Sequence, residues 1–378
     1  MCVCAKNIGE TGGEHLTEKE YLYFISHVTG VGAVSIFKLR EYFGSFRAAW
    51  TAGEKEIRNS GALTPKRVEA FLQCRKAEST MEKEYEDLEK NHIRYIAYFE
   101  DEYPKRLRPY HDRPAGLFAK GKLPDDDVPA AAIVGARNCT EYGRQMAEKL
   151  AYELGENGIQ IISGLALGVD GAAHKGCLDA GGDTYAVLGC GVNVCYPKEN
   201  YRLFARMETQ GGILSEFVPG TAPAAMNFPM RNRIISGLAD IVIITEAREK
   251  SGSLITADLA LDQGKDIFAV PGRVSDPLSA GCNRLLQMGA SVCLSSNDIF
   301  EYFGVKYEKK LILGKFSEKR LAKKENMVYS FLDSRPKHLE EIVKNCQISV
   351  SEAMEILMDL ELAGLVQSAG NQYYCRKM

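Results

Sequence analysis

From Ala130 onward the chain alternates between two textures. Short apolar runs, AAIVGA, IQIISG, TYAVLG, GILSEF, DIVIITEA, DIFAVPG and SVCLS, are separated by helical patterns of ten to fifteen residues. Each run is apolar throughout instead of alternating, the pattern of parallel strands covered on both faces. The order predicts a doubly wound α/β domain from Ala130 onward. Its ligands belong at the carboxyl ends of the strands. Upstream, residues 17–75 read as short helices broken by glycine. There Gly30-Val31-Gly32 separates two apolar stretches, as in a helix-hairpin-helix turn. Such a turn either offers amides to a phosphate or packs two helices without a ligand. Residues 78–91, ESTMEKEYEDLEKN, read as an exposed, charged helix with a few apolar contacts, a solvated connector. IRYIAYFEDEYPKRLRPY starts as a strand and then turns, placing Lys105, Arg106 and Arg108 on a surface loop.

The tail has a different rhythm. Residues 304–325 form a lysine-rich linker, and residues 326–378 read as three helices followed by LVQS and QYYC, joined by Ala369, Gly370 and Asn371. Three helices and a two-stranded wing predict a winged helix. Its third helix carries Glu352, Glu355, Asp359 and Glu361 and neither lysine nor arginine. A groove lined with phosphates would repel that helix, so this unit is expected to meet protein and not DNA.

Composition narrows the function classes. A chain of 378 residues suggests two or three domains. No apolar run is long enough for a membrane span, and MCVCAKNIGE lacks a signal-peptide pattern, so a cytoplasmic protein is expected. Eleven cysteines without a C-x-x-C pair indicate neither a disulfide framework nor a zinc ribbon, and Cys2 and Cys4 are given no role. No metal and no cofactor are expected. The net charge of −3 argues against coating nucleic acid by bulk charge, so any such site is local.

The loops after the predicted strands carry the candidate chemistry. The first, GARNCTEYG, sets Arg137 behind Gly135 and is not the G-x-G-x-x-G dinucleotide fingerprint, which disfavours a nicotinamide cofactor. The second, SGLALGVDGAAH, runs from Ser163 to His174; Gly164, Gly168 and Gly171 let the backbone approach a ligand and expose amides to it. His174 reads as a packed histidine before it reads as a base. The third, GCGVNVCYPKEN, is a turn carrying Tyr196 and Lys198. In MNFPMRNRIISG, Pro229 suits the first turn of a helix, so Arg231, Asn232 and Arg233 fall where free amides favour an anion. The alternative is that these arginines pair with acids such as Glu216 or Glu246. In REKSGSLITADLALDQG, Ser251, Gly252 and Ser253 precede a helix and present hydroxyls and amides.

Together, GAR, SGLALGVDGAAH, LGCGVNVCYPKEN, NFPMRNRIISGLA, SGSLITADLALDQGKDIFAVPG and GCNRLLQMGA resemble the DprA (Smf) family of bacterial DNA-processing proteins, in order over about residues 92–300. The resemblance implies an extended Rossmann-like, doubly wound domain over residues 92–303 that binds single-stranded DNA, forms a homodimer and helps load the RecA recombinase onto DNA taken up in natural transformation. It implies no catalysis. The DNA contacts it implies are Arg137, Gly164 with its neighbours, Phe228, Arg231 and Ser251 to Ser253. With the loop reading, the candidate set is Gly135, Arg137, Ser163, Gly164, Gly168, Asn227, Phe228, Arg231, Asn232, Arg233, Ser251, Gly252 and Ser253. The stretch before Phe228, TAPAAMN, lacks the basic residue often found there in the family. Unpaired bases stacking on Phe228 are worth ~1–3 kcal/mol each. The competing class is an enzyme of similar fold that hydrolyses nucleoside monophosphates at a P-G-G-x-G-T-x-x-E loop. With Thr256 as the motif threonine, its glutamate falls at Leu259 and a loop glycine at Ile255.

Overall fold

The seven apolar runs become the parallel strands of one sheet. The computed structural model describes residues 16–305, 323–333, 335–362 and 364–376. It opens with helices α1 (Glu18–Ser26), α2 (Ala33–Phe43), α3 (Phe46–Thr51), α4 (Glu54–Asn59), α5 (Pro65–Arg75) and α6 (Glu78–Lys90). Strands β1 (Arg94–Ala97), β2 (Gly116–Gly121) and β3 (Ala130–Val134) follow, then α7 (Glu141–Glu156), β4 (Gln160–Ser163), α8 (Val169–Asp179) and β5 (Thr184–Leu188). Next come α9 (Tyr201–Gln210), β6 (Gly212–Ser215), α10 (Asn227–Leu238), β7 (Ile241–Ile244), α11 (Gly252–Asp262), β8 (Asp266–Ala269), α12 (Ala280–Gln287), β9 (Ser291–Val292) and α13 (Ser296–Phe303).

The sheet order is β1-β2-β6-β5-β4-β3-β7-β8-β9. Pairing is parallel from β6 through to β9, whereas β1 and β2 join antiparallel at the far edge. From β3 the chain winds outward through β4, β5 and β6, then returns to β7 on the other side of β3. That reversal opens a crevice at the carboxyl ends of β3 and β7. Strand residues alternate between two helical layers: Ala131, Ile133, Ile161, Ile241 and Ile243 face the core that includes α7 and α8 residues. Ala130, Ala132, Val134, Ile162, Val242 and Ile244 face the core that includes α10 and α11 residues. Strand β2 was not expected. Its six residues are held by antiparallel pairing to β1 and β6, which no local pattern signals.

The described chain divides into two units, residues up to 307 and residues from 308 onward. The helical region and the sheet therefore share one unit: Leu22, Phe24 and Trp50 lie in a core that also contains Tyr95, Phe118, Leu188 and Ile213. The α6 segment is a largely exposed, charged helix whose few apolar contacts are the buried Met81 and Leu88, and its Glu78 accepts a 3.1 Å bond from the Trp50 indole N–H. At the glycine turn, Val28 and Val31 are buried. Arg106 is likewise removed from the surface role. Its Nε and Nη2 donate to the Asp240 carboxylate at 3.1 and 3.0 Å, and its other bonds reach the carbonyls of Asp125 and Val128.

The second unit contains α14 (Lys323–Phe331), β10 (Lys337–His338), α15 (Leu339–Cys346), α16 (Val350–Leu362), β11 (Val366–Gly370) and β12 (Tyr373–Arg376). Val328, Leu339, Ile342, Ile356, Leu357 and Leu360 form its core. The expected winged helix is present, with β10 as a third strand in the order β10-β12-β11. Most of the expected linker, residues 306–322, lies outside the described residues, as do Cys2 and Cys4. Among the described residues no helix is long and apolar enough to cross a membrane.

Candidate nucleic-acid interface

The crevice at the strand reversal is a groove of about 640 Å³ lined by the loops after β3, β4 and β7 and by the start of α10. Its first wall is the GARNCT loop. Thr140 caps α7, its Oγ1 accepting from the Gly143 amide at 3.1 Å. The buried Glu246 carboxylate, from the end of β7, accepts from the Thr140 amide at 2.7 Å and the Thr140 hydroxyl at 2.6 Å. The Glu246 carbonyl accepts from the Ala136 amide at 2.7 Å. Three bonds to one residue hold this loop so that Arg137 and Asn138 project into solvent.

The glycines of the second loop serve packing. Gly168 has φ +74°, and a Cβ there would lie 2.3 Å from the Ala136 carbonyl oxygen, so this position permits close contact of the second loop with the first. The Gly164 amide donates to Asp170 Oδ2 at 3.2 Å, and the Gly171 amide to the Ala166 carbonyl at 3.0 Å. The expectation that these glycines offer amides to a ligand is thus corrected for Gly164 and Gly171, whose amides bond within their own loop, while Gly168 packs against the first loop. Ser163 is also turned inward, its hydroxyl donating to the Ile133 carbonyl at 2.6 Å.

Helix α10 begins at Asn227, four residues before Arg231, so its first turn precedes the arginines, and that turn offers few free amides, because Pro229 has no N–H and the Asn227 amide donates to the Ala224 carbonyl at 2.9 Å. Arg231 is buried, lies flat against Gly164 and donates from Nη1 to the Val187 carbonyl. Burial pushes its pKa down to about 10, opposed by the nearby Asp170 carboxylate. Asp170 is itself raised by burial and lowered by Arg231. Burial, reinforced by Arg231, pushes His174 down to about 3, so it is a neutral, packed histidine whose Nδ1 bonds the Thr184 hydroxyl at 2.7 Å. Arg233 takes the alternative foreseen for it: two bonds to the Glu216 carboxylate, at 3.0 and 2.6 Å, on a side chain only 12% exposed. The asparagines brace neighbouring loops, Asn227 donating to the Gly189 carbonyl at 3.1 Å and Asn232 to the Gly252 carbonyl at 3.4 Å.

Phe228 is the aromatic centre of the groove. Its ring rests against Gly189, where a Cβ would come within 2.8 Å. Tyr196 stacks on it with centroids 5.7 Å apart and planes 27° from parallel. The Arg137 guanidinium sits 5.1 Å from the ring centroid, a cation–π geometry. The fourth wall is the start of α11, where Ser251 Oγ accepts from the Ser253 amide at 3.4 Å and bonds Ser253 Oγ at 2.8 Å. Ser253 is buried, while Gly252 is exposed with open space around it. Arg248 and Lys250, just before this helix, are both exposed on the groove.

A family model described as DNA recombination-mediator protein A matches residues 94–304, and one described as the DprA winged helix domain matches residues 315–372. The chain belongs to the DprA (Smf) family. DNA processing protein DprA of Streptococcus pneumoniae is 45% identical over 204 residues, 54% of this chain and 72% of that protein. Protein Smf of Synechocystis is 34% identical over 292 residues, 76% of this chain and 73% of that protein. Among solved structures, DprA of Streptococcus pneumoniae superposes with a TM-score of 0.65 at 36% identity, covering 76% of this chain and 98% of its own. Helicobacter pylori DNA processing protein A, reported for its single-stranded DNA binding mode, does so with a TM-score of 0.52 at 33% identity, covering 57% and 98%.

In this DprA-family groove, Gly135, Arg137, Phe228, Arg231, Asn232 and Ser251 to Ser253 all border one cavity. Gly164 borders an adjoining small cavity with Arg137, Tyr196, Phe228 and Arg231. Arg233 pairs elsewhere, and Ser163, Gly168 and Asn227 support the walls from behind. Three residues absent from the expected set belong to the surface: Tyr196, Arg248 and Lys250. The signals existed, since Tyr196 stands in the third loop and REK directly precedes the serines, yet nothing local shows that Tyr196 meets Phe228 from 32 positions away.

Proposed function

We propose that this groove binds single-stranded DNA. The observation that carries the reading is the exposed Arg137 guanidinium over Phe228, itself stacked on Tyr196, between walls that add Arg248, Lys250 and the exposed Gly252 at the start of α11. Unpaired bases can stack on a Tyr196–Phe228 platform while their phosphates meet nearby cations, and stacking asks for no particular base. The relation to a Helicobacter pylori protein reported for its single-stranded DNA binding mode supports this. Fluorescence anisotropy with a labelled oligonucleotide, competed with unlabelled single-stranded or duplex DNA, tests it. Single strands should compete far better; equal competition by duplex overturns the reading. Affinity should fall with salt along a shallow slope, because few cations line the groove.

The finer reading is that a cytoplasmic homodimer protects incoming DNA and loads RecA onto it during natural transformation and recombination. A dimer would link two grooves on one strand and raise affinity through effective concentration. Leu261 and Met288, both exposed and lining one depression between α11 and α12, offer an apolar surface for self-association. Light scattering should give twice the monomer mass and a Met288→Glu variant half of that. RecA filament growth on single-stranded DNA should start sooner when the protein is present, and unchanged growth removes this role. The reading contains no catalytic step, and incubation with nucleoside monophosphates should release no free base.

A further inference from the structure

The third helix of the winged helix, α16, carries two apolar faces. Ala353, Ile356, Leu357 and Leu360 are buried in the core of that unit. Val350, Met354, Met358 and Leu362, at four-residue spacing on another side, are 52%, 53%, 64% and 78% exposed. A step of four residues turns about 40° around a helix, so these side chains form one continuous, slightly inclined stripe. Single exposed apolar residues are ordinary on protein surfaces, but four in a row on one helix side are a contiguous patch. Two of them are methionines, whose unbranched, polarizable side chains adapt to varied apolar partners.

The charge beside the stripe decides what fits it. Glu355 and Asp359 lie along one flank and are exposed, and neither has an ion pair or hydrogen bond among the described residues. Glu352, further round the helix, is instead paired with Lys324. Glu361, three residues beyond Met358, lies on the opposite flank, and its carboxylate already accepts from the Ser368 amide at 3.3 Å. We propose that this face docks a basic amphipathic helix of a partner protein, with apolar residues at three- or four-residue spacing and lysines or arginines on their flanks. Such a segment covers the stripe and neutralises Glu355 and Asp359 together. Duplex DNA would meet the same carboxylates with its phosphates. A second copy of this face would set acid against acid across a two-fold axis. This inference is independent of the groove and of its single-stranded DNA reading.

A fluorescently labelled synthetic helix with leucines at four-residue spacing and lysines between them serves as the probe, titrated with the full-length protein. The control is the same peptide with glutamates in place of the lysines. The lysine peptide should bind at least about tenfold more tightly than the glutamate peptide. Met354→Ser with Met358→Ser should weaken it by about tenfold or more, with melting temperature and single-stranded DNA affinity unchanged. Glu355→Lys with Asp359→Lys should reverse the preference between the two peptides. Equal binding of both peptides overturns the proposal, as does insensitivity to these variants. Displacement of the peptide by duplex DNA assigns the face to nucleic acid, and self-association lost in the methionine variant assigns it to a second copy. Displacement by a peptide of residues 306–322 assigns it to this chain's own lysine-rich segment; each of these three results overturns the proposal.

Discussion

The groove and the outer face of α16 both expose apolar surface at the end of a well-formed core, and they differ in where their carboxylates went. In the groove the acids are buried and occupied: Glu246 holds the Thr140 amide and hydroxyl, and Asp170 holds the Gly164 amide. What remains at the surface is Arg137, Arg248 and Lys250 around Phe228 and Tyr196. On α16 the acids stay outside beside Met354 and Met358. A net charge of −3 conceals both facts. An exposed apolar surface acquires its specificity from the sign of the charge left beside it, and that sign is set by which ionisable groups folding has already used.

The sharpest way to break this comparison is to remove a charge that the groove has buried. Arg231→Ala should destabilise the fold by roughly 3 kcal/mol, because Asp170 is left buried without the guanidinium that favours its charged form. Thermal unfolding should show the loss as a lower midpoint. The slope of log affinity for single-stranded DNA against log salt should stay as in the unaltered protein. A flattened slope with unchanged stability would put Arg231 on the phosphates and erase the distinction drawn here.

Next in size come the two exposed partners. Phe228→Ala should cost about 1–3 kcal/mol of single-strand affinity at every salt concentration, since stacking carries no counterion. Arg137→Ala should cost most at low salt and flatten the slope by roughly 0.7, so that its gap to the unaltered protein narrows as salt rises. Anisotropy titrations at four or five salt concentrations separate these patterns, and parallel lines for both variants would mean that Arg137 acts only by holding the Phe228 ring. Tyr196→Ala should lose about 1 kcal/mol, less than Phe228→Ala, because Phe228 remains as a platform.

The smallest effect belongs to the other side of the comparison. Deleting residues 318–378, which carry nine basic and nine acidic side chains, should change single-strand affinity by less than about tenfold, or ~1.4 kcal/mol. The deleted unit has its own core, so the remainder is expected to stay folded. A larger loss would show that the winged helix contacts DNA in spite of Glu355 and Asp359.

Local pattern determined the alternation of strands and helices after Ala130, the seven parallel strands, the winged helix and its acidic third helix, because burial on two faces and helical periodicity are written at short range. It also brought Arg137, Phe228 and Ser251 to the right edge of the sheet, since the loops at strand ends are counted along the chain. Only the tertiary structure decided which of those loop residues face solvent. Arg231 and Arg233 sit two positions apart, yet one lies under the groove against Gly164 and the other is clasped by Glu216, 17 residues away. Arg137 stays exposed because Glu246, 106 residues beyond Thr140, anchors the loop behind it. The glycines that read as openings for a ligand serve packing instead, with Gly168 against Ala136 and the amides of Gly164 and Gly171 bonded within their own loop. A side chain's exposure depends on what distant segments bring against it, and the spacing of residues along one segment carries no record of that.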